Sequence, residues 1–165
     1  MKQKATATAL VRECAERGIK IATAESCTGG LIAKTLTDVA GSSAVFAGGA
    51  VTYTNEVKIA LLGVDPEMIA RESEVSHACA KEMAEGVRIR LGVDLAVSTT
   101  GYAGPTGGTE ADPVGTVYIG VSTSDGVYSE RFCAPAGLTR AGVRRAATER
   151  AIALLLEFAQ KQYRT

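Results

Sequence analysis

The chain has 165 residues, 46% hydrophobic and 22% charged, a composition that supports a packed core and excludes intrinsic disorder. Eighteen basic residues balance eighteen acidic ones, and there are five Tyr, three Phe and no Trp, so both the basic excess and the stacking surface of a nucleic-acid binder are missing. No run reaches the ~18 apolar residues of a membrane span, and the N-terminal stretch has no apolar signal-peptide core. The expectation is a cytoplasmic protein with reduced thiols, with no membrane or nucleic-acid partner.

At roughly 150 residues per domain the length predicts one domain over residues 1–165. Residues 5–17 repeat apolar positions at helical spacing and stop at Gly18. Residues 20–24 (KIATA) are β-prone and lead through Glu-Ser-Cys-Thr-Gly-Gly into a helix over 31–39. Residues 45–53 read as a strand whose internal Gly48 and Gly49 mark a bulge or a close backbone contact. A short helix over 55–62 stops at Gly63, and Asp65-Pro66-Glu67 opens another. Ser76 caps a long helix to Leu91 that Gly92 ends. Residues 94–100 read as a buried strand, 101–113 as a glycine-rich loop, and 115–122 with 127–133 as a hairpin. An amphipathic helix over 139–160 closes the chain. The alternation, interrupted by the hairpin, predicts an α/β fold: a three-layer α/β/α sandwich on a mixed, mostly parallel sheet.

Cys14, Cys27, Cys79 and Cys133 form no C-x-x-C pair, and His77 is the single histidine, so no metal site, cofactor or His-based triad is expected unless His77 serves it. Two segments stand where α/β proteins place ligands, after a strand. The first is 24–30, where Ser26 or Cys27 offers a nucleophile and the amides around Thr28, Gly29 and Gly30 can hold an anion; a plain cap by Ser26 or Thr28 is the competing reading. A thiolate at a helix N-terminus has a lowered pKa, which keeps Cys27 open as the nucleophile. The second is the loop from Gly101 to Gly115, too long to be structureless by default and matching no nucleotide-binding fingerprint. Lys58, beside Tyr53 and Asn55, reads either as a solvated face residue or as a base. Arg140 and Arg144 share a helix face, where two guanidiniums can clamp a phosphate or pair with acids such as Glu149.

The segments AESCTGGLIAKTLTDVAGSSAVFAGGAVTYTNEVKIALLGV (24–64) and TTGYAGPTGGTEADPVGTVYIG (99–120), with the weaker VRRAAT (143–148), resemble the C-terminal domain of the competence/damage-inducible protein CinA. The resemblance spans nearly the whole chain. It implies a metal-independent nicotinamide-nucleotide amidase that hydrolyses the carboxamide of nicotinamide mononucleotide to nicotinic acid mononucleotide and ammonia, in pyridine-nucleotide salvage. Ser26 would be the nucleophile, Lys58 its base, and Tyr53 would help order the pair. The oxyanion hole would come from amides around 27–30 or 41–43. Ser43, Asn55, Thr100, Gly101, Ala103, Gly104 and Arg140, with Arg144 as the alternative, would hold the nucleotide. A homodimer is also implied. The sequence departs from the family in two places: Tyr102 stands where a small aliphatic residue is usual, and the stretch 137–140 is longer than usual. A nucleotide-binding module without catalysis is the alternative on the same fold.

Overall fold

A computed structural model describes the backbone of residues 2–162 and the side chains of residues 4–161, so the ends of the expected 1–165 domain lie outside the described residues. In chain order the elements are α1 (Lys2–Arg17), β1 (Ile21–Glu25), α2 (Leu31–Thr37), a 3-10 turn (Ser42–Ala44) and β2 (Phe46–Val51). Then follow α3 (Asn55–Val57), continued by a π-helical turn (Lys58–Leu62), α4 (Pro66–Glu72) and α5 (His77–Leu91). Strands β3 (Leu95–Gly101), β4 (Thr116–Thr123) and β5 (Gly126–Cys133) precede α6 (Arg140–Gln162). The sheet order is β2-β1-β3-β4-β5. Strands β1, β2 and β3 pair in parallel, while β4 is antiparallel to both β3 and β5, so four of the five strands run one way.

Helices cover both faces. Helices α1, α2 and α6 pack together on one side, where Ile21, Leu95, Val97, Val117, Ile119 and Val121 meet Leu10, Leu36, Ile152 and Leu155. Helix α5, flanked by α4, lies on the other, where Met68, Met83 and Val87 cover Ala22, Ala24 and Ala96. Burial on both faces explains why β1 and β4 are buried throughout, while the edge strand β2 alternates.

The α5 face is lined by small residues because the helix comes close. A Cβ on Gly120 would lie 2.1 Å from the Ala80 carbonyl oxygen, which also accepts a hydrogen bond from Ser98 Oγ. Gly49 is similarly constrained: a Cβ there would sit 2.1 Å from Thr23 Oγ1, and the β1–β2 register shifts after Ile21, as the glycines in that strand suggested. The expected caps are present. Asp65 accepts from the Glu67 amide (2.9 Å), Ser76 from the Cys79 amide (3.1 Å), and Gly92 ends α5 at φ 60°. The segment 55–62 is the exception, because its helix widens after one turn at Lys58.

Candidate functional site

Strands β2, β1 and β3 end at the same edge of the sheet, and the cleft lies there. Strand β1 has its two neighbours on opposite sides and their connecting helices on opposite faces, which opens a crevice at the strand ends. The cavity is about 220 Å³ and open at its mouth, a little below the roughly 300–1,000 Å³ of drug-sized small-molecule sites.

Ser26 is the first residue beyond β1. Its amide donates to the Thr99 carbonyl (2.9 Å) and extends the parallel ladder by one bond, which fixes where its hydroxyl begins. Lys58 reaches the same point from the turn after β2, which packs against α5. Its Nζ lies 3.1 Å from Ser26 Oγ and donates to the Thr52 carbonyl at 3.0 Å. Ser26 is 8% exposed and Lys58 only 1%, so the lysine is a buried pair member and not a solvated face residue. Burial pushes Lys58 below the ordinary lysine pKa, against the pull of Cys79 and Glu74 towards the charged form. π-helical turns are often found at functional sites, and here the turn begins at the lysine itself.

The turn between β1 and α2 is organised by a residue the sequence reading passed over. The Glu25 carboxylate, 1% exposed, accepts from the amides of Gly30 (3.0 Å), Ile32 (3.0 Å) and Ala33 (2.8 Å) and from Thr28 Oγ1 (2.7 Å). A carboxylate at a helix N-terminus satisfies otherwise unpaired N–H groups and complements the dipole. Neither Ser26 nor Thr28 caps α2, and the α2 N-terminus is filled from within the chain. The Gly29 amide is also engaged, by the Ser26 carbonyl (3.1 Å). Of the expected oxyanion donors in 27–30, the amides of Cys27 and Thr28 are the two that make no hydrogen bond to a backbone or side-chain oxygen among the described residues.

Cys27 lines the cleft, but burial pushes its thiol up to about 12. Burial therefore disfavours the thiolate expected from a helix N-terminus, which weighs against Cys27 as the nucleophile.

Thr100, Gly101, Ala103 and Gly104 form a second wall with Tyr102 and Thr106. Tyr53 and Arg140 stand at the mouth, where Arg140 donates to the Gly104 carbonyl (2.7 Å) and to Tyr53 Oη (2.7 Å). Tyr53 therefore bonds Arg140, while the Thr52 carbonyl orients Lys58. Arg140 makes no ion pair among the described residues, so its charge is free for an anion.

Arg144, one turn further along α6, points elsewhere. It donates to the carbonyls of Cys27 (3.1 Å) and Thr28 (2.7 Å), holding the turn behind the nucleophile. Gly29, at φ 57°, leaves room for it, since a Cβ there would lie 3.2 Å from Arg144 Nη2. The i,i+4 pair thus does not clamp one anion.

Ser43 and the 41–43 amides lie before β2, at the end of the sheet opposite Ser26, because Phe46 pairs with Ile21 and Val51 with Glu25. Within one chain they do not reach the cleft. Asn55 opens α3 and does not line it either. His77 is an exposed first-turn residue of α5, as its sequence position suggested, and contacts Ser129 (2.8 Å). Besides Glu25, the sequence reading missed Thr52, which acts through its carbonyl, and Glu74 and Val75 on a third wall of the cleft. A carbonyl carries no residue-type signal, and Glu74 sits in a link with no motif. Glu25 was legible in principle, as an acid ending an apolar strand just before a helix. Among the described residues no helix is long and apolar enough to cross a membrane, and no three His, Cys, Asp or Glu side chains gather as a metal-binding group.

These features define a single-domain α/β sandwich with a buried Ser–Lys pair at the carboxyl edge of its parallel strands. The chain belongs to the CinA C-terminal domain family, whose model matches residues 3–159. It is 58% identical over 116 residues to a CinA-like protein of Chloroherpeton thalassium, covering 70% of this chain and 28% of that protein. It is 52% identical over 138 residues to a CinA-like protein of Mycolicibacterium gilvum, covering 84% of this chain and 32% of that one. The chain thus spans about a third or less of these curated relatives. Among solved structures, the competence/damage inducible protein CihA from Agrobacterium tumefaciens superposes with a TM-score of 0.91 at 37% identity, covering 95% of each chain. A competence-damaged protein (CinA) superfamily protein from Escherichia coli gives 0.89 at 32% identity, covering 94% of this chain and 90% of that one.

Proposed function

We propose that this protein is a metal-independent serine amidohydrolase that converts nicotinamide mononucleotide to nicotinic acid mononucleotide and ammonia. The observation that carries the reading is the 3.1 Å approach of buried Lys58 Nζ to Ser26 Oγ, with a neutral carbonyl as the lysine's other acceptor. A lysine is a base only as the free amine, and burial favours that form.

In the proposed sequence Lys58 takes the Ser26 proton as Oγ attacks the carboxamide carbon. The developing oxyanion is met by the free amides of Cys27 and Thr28. Collapse of the tetrahedral adduct breaks the C–N bond, and Lys58 returns the proton to the departing nitrogen, which leaves as ammonia. Water, deprotonated by the same amine, then cleaves the Ser26 ester to give the carboxylate product and restore the hydroxyl. Arg140 holds the 5′-phosphate, and the Gly101–Gly104 wall lies along the ring and ribose. Homodimer formation belongs to the same reading and is checked by sedimentation.

The test is ammonia release from nicotinamide mononucleotide by the wild type and by Ser26→Ala, each with and without a chelator. Release by the wild type alone, indifferent to chelator, supports the reading. Nucleotide binding without release would leave a binding module.

A further inference from the structure

The cleft holds one carboxylate among its cations. Glu74 lines the cleft from the link between α4 and α5, and the link is pinned around it. Thr100 Oγ1 donates to the Glu74 carbonyl (2.7 Å), and Ser76 Oγ donates to the Ser73 carbonyl (2.9 Å). Ser73 Oγ donates to the Glu74 carboxylate (3.3 Å) and accepts from the Val75 amide (3.2 Å). Ser73 itself stands at φ 81°, the one non-glycine at positive φ among the described residues. Such a backbone persists only where its surroundings over-determine it.

The Glu74 carboxylate is half-buried, and among the described residues no cation forms an ion pair with it. Its backbone is bonded to Thr100, and the residue lines the cleft with Ser26 and Lys58, where its charge favours the charged amine, whereas unpaired Arg140 is bonded to Gly104 and Tyr53 at the mouth. The cleft thus carries its one carboxylate on the lining it shares with the Ser–Lys pair and its unpaired guanidinium at the mouth. A ligand complementary to it carries a cation near the scissile group and an anion at the far end.

Building on the amidohydrolase reading, we propose that Glu74 is a specificity-determining residue that recognises positive charge on the substrate ring, so that the cleft selects an N-ribosylated pyridinium amide over its neutral dihydropyridine form. The carboxylate is poised to pair with the ring cation beside the carboxamide. The same contact acts on catalysis. Glu74 favours the proton on Lys58, and a bound cation cancels that influence and frees the amine. A neutral ring of the same shape leaves it in place.

The experiment compares kcat/KM for nicotinamide mononucleotide with that for its reduced form, in wild type, Glu74→Gln and Glu74→Asp. Binding of both forms to each protein is measured in parallel by calorimetry. The wild type is expected to favour the oxidised form by roughly 10-fold or more, as for opposite charges in a partly screened cleft. Glu74→Gln should weaken binding of the oxidised form and not of the reduced one, bringing their affinities within about 2-fold and narrowing the kcat/KM ratio, and Glu74→Asp should restore part of the preference. An unchanged ratio in Glu74→Gln, or equal losses on both forms, overturns the proposal. If no protein releases ammonia from either form, the amidohydrolase reading fails, and the binding ratio then decides the charge selection on its own.

Discussion

Ser26 and Lys58, on the floor of the cleft, are 8% and 1% exposed, whereas Tyr53 at its mouth is 57% exposed and Arg140 is open to solvent as well. Floor positions follow from backbone obligations. The Ser26 amide completes a strand ladder, Thr52 turns its carbonyl to Lys58, and the Glu25 carboxylate anchors the turn between them and α2. Mouth positions rest on hydrogen bonds from one guanidinium to a loop carbonyl and a phenol. Buried polar groups that are fully bonded hold one geometry, while exposed ones exchange partners with water at little cost. The floor is thus suited to chemistry and the mouth to capture.

Substitutions separate the two regions by which kinetic constant they move. Ser26→Ala should have the largest effect, lowering kcat by roughly 10³–10⁶-fold while leaving the thermal transition in place, since one small hydroxyl is lost. A rate within 10-fold of wild type would remove Ser26 from the chemistry.

Lys58→Met should cost nearly as much activity, and its stability should change with a definite sign. The folded-state pKa of Lys58 lies below the ordinary value of about 10.4. Between the two values the unfolded chain binds more protons, so wild-type stability rises with pH across that window. Below it the native state carries a buried charge. The substitution should therefore raise the melting temperature near neutral pH and flatten its pH dependence. A drop in stability, or an unchanged pH slope, would show that Lys58 is not buried at a cost.

Glu25→Ala removes the support of the floor without touching the cleft. It strands several buried donors at about 1–3 kcal/mol each, so a loss of about 3 kcal/mol or more is expected in chemical denaturation, with a fall in kcat.

At the mouth, Arg140→Ala should raise KM for nicotinamide mononucleotide about 10-fold or more, change kcat little, and leave the phosphate-free riboside unaffected. Tyr53→Phe should have the smallest effect, about 2–10-fold in KM, because it deletes one exposed hydrogen bond. A collapse of kcat in Tyr53→Phe would support the ordering role that the family resemblance implies for Tyr53, and would erase the division between floor and mouth.

The elements of the fold were largely legible. Helical and two-residue periods, Asp65-Pro66, Ser76 and Gly92 place most boundaries within a few residues, because caps and breakers act locally. The period of residues 55–62 predicts a regular helix, and its widening at Lys58 is not visible there, since it accompanies the contacts of Lys58 with Ser26 and Thr52 and not local propensity. The cleft divides along the same line. The AESCTGG and YTNEVK segments carry Ser26 and Lys58 in plain view, but Arg140 and Arg144 look equivalent on a helix face. A single turn of α6 sends one to the mouth and the other to the carbonyls behind Ser26.

The sequence alone determined the α/β class, the order of elements, the family and the residue types available for catalysis, because these rest on periodicity, local caps and motif identity. Only the tertiary structure decided that Glu25 occupies the α2 N-terminus, that Cys27 is held as a thiol, that Ser43 stands at the far end of the sheet and that Glu74 faces the cleft. Each of those depends on strand register or burial, which are properties of residues brought together from distant parts of the chain.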